Sequence, residues 1–339
     1  MDVGFLRGHR LLVAALCLMT LLGACGESEG GSDSHQSDRQ RPRVVTTLAP
    51  ITSIVANVAG DLAEIEGLVP EGSDSHTFEP PPSRAKVLSQ ADIIFINGLM
   101  LEDPIKELAQ GRLKKGAEII ELGRETIRPE DYIYDFSFPK EEGKPNPHLW
   151  TNPPMAKEYA RVAAGALGRR DPGHADTYEA NYERFAAKVD ELDSAMSQAS
   201  RTVPKRELLT YHDAYAYFAK HYDWKVIGAV QVSNFEDPTP KEVGDLIDQV
   251  KARGVPAIFG SEVFPSPVLA QIGKDAGVRY VDVLRDDDLP GGPGQAEHSW
   301  LGLMRFNFIT MVQSLGGDAS ALKAVKVENA APDKATYPQ

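Results

Sequence analysis

The chain has 339 residues, of which 25% are charged, and a formal net charge of −13 with its eight histidines counted as neutral. That length accommodates two lobes of ordinary size, each with its own core, and the acidic balance argues against nucleic acid or an anionic lipid surface as a partner. The two cysteines, Cys17 and Cys25, both lie near the N-terminus, so the remainder can build neither a disulfide framework nor a thiolate metal site.

Arg7 and Arg10 flank the start of an apolar run from Leu11 to Leu22. A run of about a dozen residues is too short to span a bilayer as a mature helix and fits the hydrophobic region of a secretory signal. It ends in Leu22-Gly23-Ala24-Cys25, which resembles a bacterial lipobox. Residues 1–24 are therefore expected to leave as a lipoprotein signal, with Cys25 carrying the lipid and the protein held outside the cytoplasm at the membrane. Residues 25–42, rich in Gly, Ser, Asp, Glu and Gln, read as a disordered tether.

From Arg43 onward strand-like and helix-like patterns alternate. Val44 to Leu48 is rich in β-branched residues, Ile51 to Val58 has helical spacing ended by Gly60, and Ala63 to Leu68 reads as a second strand. Pro82 to Gln90 reads as a helix and Asp92 to Asn97 as a buried strand, an order that implies a parallel sheet covered by helices. The same grammar returns after residue 205. Strands are expected at Glu207 to Thr210, Lys225 to Val230, Ala257 to Phe259 and Tyr280 to Leu284, with helices at Ala214 to Tyr222, Lys241 to Arg253 and Pro267 to Ala276.

Between the two halves Met155 to Ala199 is helical in pattern, interrupted near Asp171-Pro172-Gly173. Its second part, Ala175 to Ser200, runs without Pro or Gly for about 25 residues, approaching 40 Å as a helix. The expected fold is α/β: two lobes, each with a mainly parallel sheet and flanking helices, joined by one long backbone helix. The expected spans are an N-terminal lobe over 43–170, a linking helix over 171–200, a C-terminal lobe over 201–325 and a tail over 326–339.

Of the histidines, His9 falls in the signal and His35 in the tether. His76, His148 and His212 each stand where a strand should end and a loop begin, and in open α/β sheets the ligand crevice lies outside those carboxyl ends. One such histidine alone is more often a cap or a partly buried residue. Three together offer neutral imidazole ligands to a transition metal and leave room for a harder donor. The loop after the last expected strand contains Asp286, Asp287 and Asp288, one of which would complete the set. The four positions then fall about 65 to 75 residues apart, two in each lobe.

Several segments resemble the signatures of the cluster A-1 (cluster 9) substrate-binding proteins, which serve bacterial ABC importers of zinc, manganese and iron. His76-Thr77-Phe78-Glu79-Pro80 with Pro82-Ser83 is similar to "HTYEPTPSD", and Ala91-Asp92 with Asn97-Gly98-Leu99-Met100-Leu101-Glu102 to "ADL…NGLGLE". Asn146-Pro147-His148-Leu149-Trp150 resembles "DPHLWLDP", and Tyr211-His212-Asp213-Ala214-Tyr215-Ala216-Tyr217-Phe218 resembles "HDAFGYFA". The likeness covers essentially the whole mature domain. It implies that His76, His148 and His212 are ligands, with Asp287, standing before Asp288-Leu289, as the fourth; Asp286 and Asp288 are the alternatives.

What the resemblance implies is capture without turnover: Zn2+ or Mn2+ as transported ligand, the membrane permease of an ABC importer as partner, and a monomer tethered by its N-terminal lipid. The stretch from Asp131 to Pro147 lacks the histidine-rich loop of many zinc-specific members, and His212 stands where some manganese-specific members have glutamate, so the metal is left open. Glu262 or Asp213 could orient imidazole N–H groups. Affinity is expected to fall as pH drops through about 6.5. The rivals are a secreted zinc hydrolase and a metal-stabilised surface adhesin. The first would need a motif such as H-E-x-x-H, and here no His is followed by Glu.

Overall fold

A computed structural model of the chain describes residues 41–135, 137–231, 238–261 and 266–339. The signal, Cys25, nearly all of the tether and Glu262 lie outside the described residues.

The first half begins with β1 (Arg43–Thr46), whose β-branched residues suit a pleated strand, and α1 (Ala49–Ala59), which has Pro50 in its first turn and ends at Gly60. Every residue of α1 is buried, as expected of a helix apolar on nearly all faces. Then follow β2 (Glu64–Gly67), α2 (Arg84–Gln90), β3 (Ile93–Ile96), α3 (Asp103–Gln110), β4 (Glu118–Glu121) and α4 (Leu122–Thr126). The strands form one parallel sheet in the order β2-β1-β3-β4, with β3 wholly buried near its centre. β4 adds a strand beyond the three expected. Its two isoleucines stand between glutamates in a span of four, too short for alternation to be legible.

The turn after β3 carries Gly98, Leu99 and Met100 at φ 78°, 54° and 67°. Two non-glycine residues in the left-handed region need support from their surroundings. The buried Glu102 carboxylate supplies it, accepting from Thr47 Oγ1 at 2.7 Å, Asn97 N at 2.8 Å and Gly98 N at 3.0 Å.

α5 (Pro153–Arg170) and α6 (Ala175–Ser200) are separated at Asp171-Pro172-Gly173, where the sequence pattern breaks. α6, 26 residues long, is the helix that joins the lobes. Its Asn181 side chain donates to the Val58 carbonyl of α1, its Phe185 packs on Trp300, and Ser200 at its end accepts the indole N–H of Trp224.

The second half contains β5 (Glu207–Thr210), α7 (Ala216–Tyr222), β6 (Lys225–Ala229), α8 (Pro240–Arg253), β7 (Ala257–Ser261), α9 (Pro267–Ala276) and β8 (Arg279–Leu284). β5 pairs with β6 and β7 with β8, all parallel, and β5 lies beside β7. α8 starts at a capping box: the Thr239 hydroxyl accepts from Glu242 N while the Glu242 carboxylate accepts from Thr239 N. α10 (Trp300–Ser314) and α11 (Ser320–Ala324) then return to pack on α6, and α10 also meets α1. The last residues lie along the edge of β2, where Gly67 N donates to the Thr336 carbonyl and Thr336 N to that of Ile65, both at 2.9 Å. One apolar core runs from the first sheet through α5, α6 and α10 to Leu208, Ala257 and Phe259, and a smaller one lies around Ile227, Val250, Ile258 and Leu269.

Candidate metal centre

Each of the four loops singled out in the sequence leaves the carboxyl end of a strand or enters a helix, and all four meet. His76 lies between β2 and α2. Its loop is shaped by Asp74, whose carboxylate accepts from His76 N at 2.8 Å and from the Thr77 hydroxyl at 2.9 Å. His148 precedes a single helical turn and α5. The Pro147 carbonyl accepts from Asn97 Nδ2 at 2.9 Å, which ties this loop to the end of β3. His212 follows β5, its carbonyl accepting from the Thr210 hydroxyl at 2.8 Å.

The three imidazoles converge through Nε2. His76 Nε2 lies 3.1 Å from His148 Nε2, which lies 3.2 Å from His212 Nε2, and one ring nitrogen from each histidine falls within 4.8 Å of the others. An ion held tetrahedrally at about 2.0–2.1 Å from each imidazole nitrogen needs those nitrogens about 3.3–3.4 Å apart. The two closer separations match this without rearrangement. Phe138 packs 5.7 Å from both His76 and His148, centroid to centroid, and Trp150 lies 4.9 Å from His148, so apolar rings line the cluster, in which His148 and His212 are buried and His76 is half-buried. Beside His212, the cavity bounded among the described residues by Tyr211, Ser261 and Asp286 measures about 10 Å³, room for about one water.

The three aspartates after β8 have different surroundings, and all are buried. Asp286 Oδ2 lies 2.9 Å from His212 Nε2. Asp287 Oδ2 accepts from Ser75 N at 2.9 Å, while its buried Oδ1 has no hydrogen-bond partner among the described residues. Asp288 is occupied by Gly72 N, at 2.8 and 3.0 Å from its two oxygens. The Asp loop of one lobe thus grips the His76 loop of the other through backbone amides. Nearby, Glu71 is paired with buried His298 at 3.1 Å.

Burial pushes His76 and His148 well below the usual imidazole range, so both are neutral. Burial works the same way on His212, but the charge and hydrogen bond of Asp286, joined by the charges of Asp287 and Asp74, outweigh it and push that pKa up to about 9. Asp287 is raised well above the carboxylate range by burial and by neighbouring Asp286. Ion-free, both shifts favour bound protons where an ion would bring two positive charges.

Asp213 does not sit behind an imidazole in any described contact. Its carboxylate accepts from Tyr215 N at 3.1 Å, and burial followed by the charge of Asp135 pushes it up to about 7. His148 Nδ1 instead meets Asn146 Oδ1 at 2.9 Å. Asn146, Asp135, Phe138 and the backbone amides of Gly72 and Ser75 went unread in the sequence. Asn146 is the one with a visible signal, because it opens the Asn-Pro-His-Leu-Trp segment.

Two α/β lobes bridged by one long helix, with three imidazoles converging at metal-ligand spacing, define a solute-binding protein for a metal cation. The chain belongs to the family of the zinc-uptake complex component A, periplasmic, whose model matches residues 44–314. It is 27% identical over 312 residues to the metal ABC transporter substrate-binding lipoprotein ScbA of Streptococcus cristatus, covering 90% of this chain and 98% of that protein. It is 29% identical over 308 residues to the manganese ABC transporter substrate-binding lipoprotein PsaA of Streptococcus pneumoniae, covering 89% and 97%. Among solved structures, the periplasmic zinc binding protein TroA of Treponema pallidum superposes with a TM-score of 0.73 at 25% identity, over 81% of this chain and 99% of that one.

Proposed function

We propose that this protein captures a divalent transition-metal ion, zinc or manganese, outside the cytoplasm and delivers it to the membrane permease of an ABC importer, with His76, His148, His212 and Asp287 as ligands. The observation that carries this reading is the convergence of three imidazole Nε2 atoms, drawn from loops 64 and 72 residues apart, at spacings suited to one ion.

Asp287 is the fourth ligand in this reading because it stands before Asp288-Leu289 as the resembling motif requires, and its Oδ1, like Asp286 Oδ2, is buried without a hydrogen-bond partner among the described residues, an expensive state for a carboxylate oxygen unless a cation joins it. Asp288 is engaged by Gly72, and Asp286 serves as the counter-charge of His212. Three imidazoles and one carboxylate fill a tetrahedral zinc shell; a bidentate carboxylate extends it toward manganese. Among the described residues no helix is long and apolar enough to cross a membrane. Attachment through a lipid on Cys25, and action as a monomer, complete the proposal. A metal held by four protein ligands leaves no open position for the water a hydrolase would activate, and the family is an uptake component.

The test is metal analysis of protein purified without added metal, then competition between zinc and manganese, paired with growth of a deletion strain under metal limitation. Bound metal at one ion per chain and impaired growth are expected. A metal-free protein that takes up neither ion, or a deletion strain with unchanged metal uptake, overturns the reading.

A further inference from the structure

We propose that Asp135 is a positioning residue for metal capture, acting through the Asn146 side chain to hold His148 with its Nε2 lone pair facing the ion. This rests on the reading of His148 as a ligand. Asn146 Oδ1 accepts from His148 N at 3.0 Å and lies 2.9 Å from His148 Nδ1, so with a proton on Nδ1 the imidazole is left with its lone pair on Nε2. That orientation requires the Asn146 amide to have its NH2 on the other side. There it meets two acceptors: Asp135 Oδ2 at 2.8 Å and the Asp213 carbonyl at 2.6 Å.

The amide at 146 is thereby locked against a flip. Reversing it would face its oxygen toward a carboxylate and a carbonyl and present its NH2 to His148 Nδ1. The ring would then have to carry its proton on Nε2, where the ion binds. A carboxylate at 146, which the resembling motif carries, would offer no donor to either acceptor. In this chain the negative charge stands one step further back, at Asp135, and reaches the imidazole through an amide that polarises in series.

Asp135 has a second task. Its Oδ1 accepts from Ser137 N at 3.0 Å and Phe138 N at 3.2 Å, which turns the chain so that Phe138 covers His76 and His148. A test must separate the relay from this loop role. Asp135→Asn keeps an acceptor for the two backbone amides and removes the one for Asn146. The exchange Asp135→Asn with Asn146→Asp moves the carboxylate one step toward His148 and lets the new amide at 135 donate to it.

The experiment measures zinc dissociation constants of the mature protein by chelator competition, with 15N shifts of the His148 ring recorded ion-free and loaded. Asp135→Asn should weaken zinc binding by about 10- to 100-fold and move the His148 proton from Nδ1 to Nε2, and the exchange should recover most of the loss. Wild-type affinity in Asp135→Asn, or an exchange variant no better than Asp135→Asn, overturns the relay. If Asp135→Asn does not fold, the ion-free wild-type spectrum still decides, because an Nε2–H tautomer of His148 contradicts the proposal. A wild-type His148 ring whose shifts ignore zinc overturns the ligand reading itself, and the relay with it; zinc-responsive shifts together with an unaffected Asp135→Asn sink the relay alone.

Discussion

The indole N–H of Trp150 donates to the backbone carbonyl of Asp286 at 2.7 Å, and the Trp150 carbonyl accepts the indole N–H of Trp300 at 2.9 Å. The first bond fixes the Asp loop of one lobe against the helix start that follows His148 in the other, and the second ties that helix start to the beginning of α10. Trp150→Phe should leave the Asp286 carbonyl buried without its donor, at a cost of about 1–3 kcal/mol, and should weaken zinc binding because the loop loses its anchor. Urea unfolding of the ion-free protein checks this; a change under about 0.5 kcal/mol would show the bond to be dispensable.

His148→Ala should lower zinc affinity on the order of a hundredfold or more while the far-UV circular dichroism stays that of the wild type. Unchanged affinity would remove His148 from the metal shell.

The proton on ion-free His212 sets the pH window. With its pKa pushed up to about 9 by Asp286 and its neighbours against the opposing effect of burial, an ion binds only as that proton leaves. Zinc affinity should therefore keep rising to about pH 9 instead of levelling above about 6.5. Stability of the ion-free protein moves the other way: a raised imidazole pKa contributes stability that is complete below about 6.5 and is lost as pH climbs through about 9. Calorimetric zinc titrations near pH 7.5 in buffers of different ionisation enthalpy should report protons released on binding, from His212 and from Asp287, whose carboxyl is held well above the carboxylate range by burial and by Asp286. Release of none would show that both groups are already deprotonated in the ion-free protein.

Asp286→Asn and Asp287→Asn separate two roles. Removing the Asp286 charge should return His212 toward its ordinary range and shift the pH dependence of zinc binding downward. Replacing the Asp287 carboxyl by an amide should cost the larger share of affinity, because the amide cannot deprotonate to give the ion an anionic ligand oxygen. A greater loss from Asp286→Asn, measured by the same chelator competition, would reassign the fourth position.

Gly98→Ala should destabilise the protein by about 1–3 kcal/mol, since φ is 78° there and an added Cβ would lie 2.9 Å from Glu121 Cβ. Chemical denaturation measures it, and an unchanged midpoint would mean that the turn after β3 adapts freely.

Local patterns were enough to read the lobes and the long helix. Val44 to Leu48, Asp92 to Asn97 and Ala175 to Ser200 announce themselves through β-branched runs or an unbroken helical stretch, and Pro172-Gly173 marks the break between α5 and α6. β4 escaped notice because a four-residue strand has too little period to stand out, and α10 because it is buried on most faces and has almost no polar stripe. The three histidines were legible from the motifs around them; His212 follows β5, whereas His148 stands at the entry to a helical turn and α5, far from the end of any strand in sequence.

Composition and residue order by themselves bounded the ligand chemistry: with its two cysteines confined to the first 25 residues, the domain can offer a metal no thiolate, and zinc or manganese must be met by imidazole and oxygen donors. Which aspartate does what was decided in three dimensions. Asp286, Asp287 and Asp288 are adjacent and chemically identical in sequence, yet one faces His212, one accepts from the backbone amide of Ser75, and one is held by Gly72. The same holds for Asn146, whose amide orientation follows from Asp135 and the Asp213 carbonyl. Hydrogen bonds between residues dozens to hundreds of positions apart depend on how the lobes pack, and no local pattern encodes that.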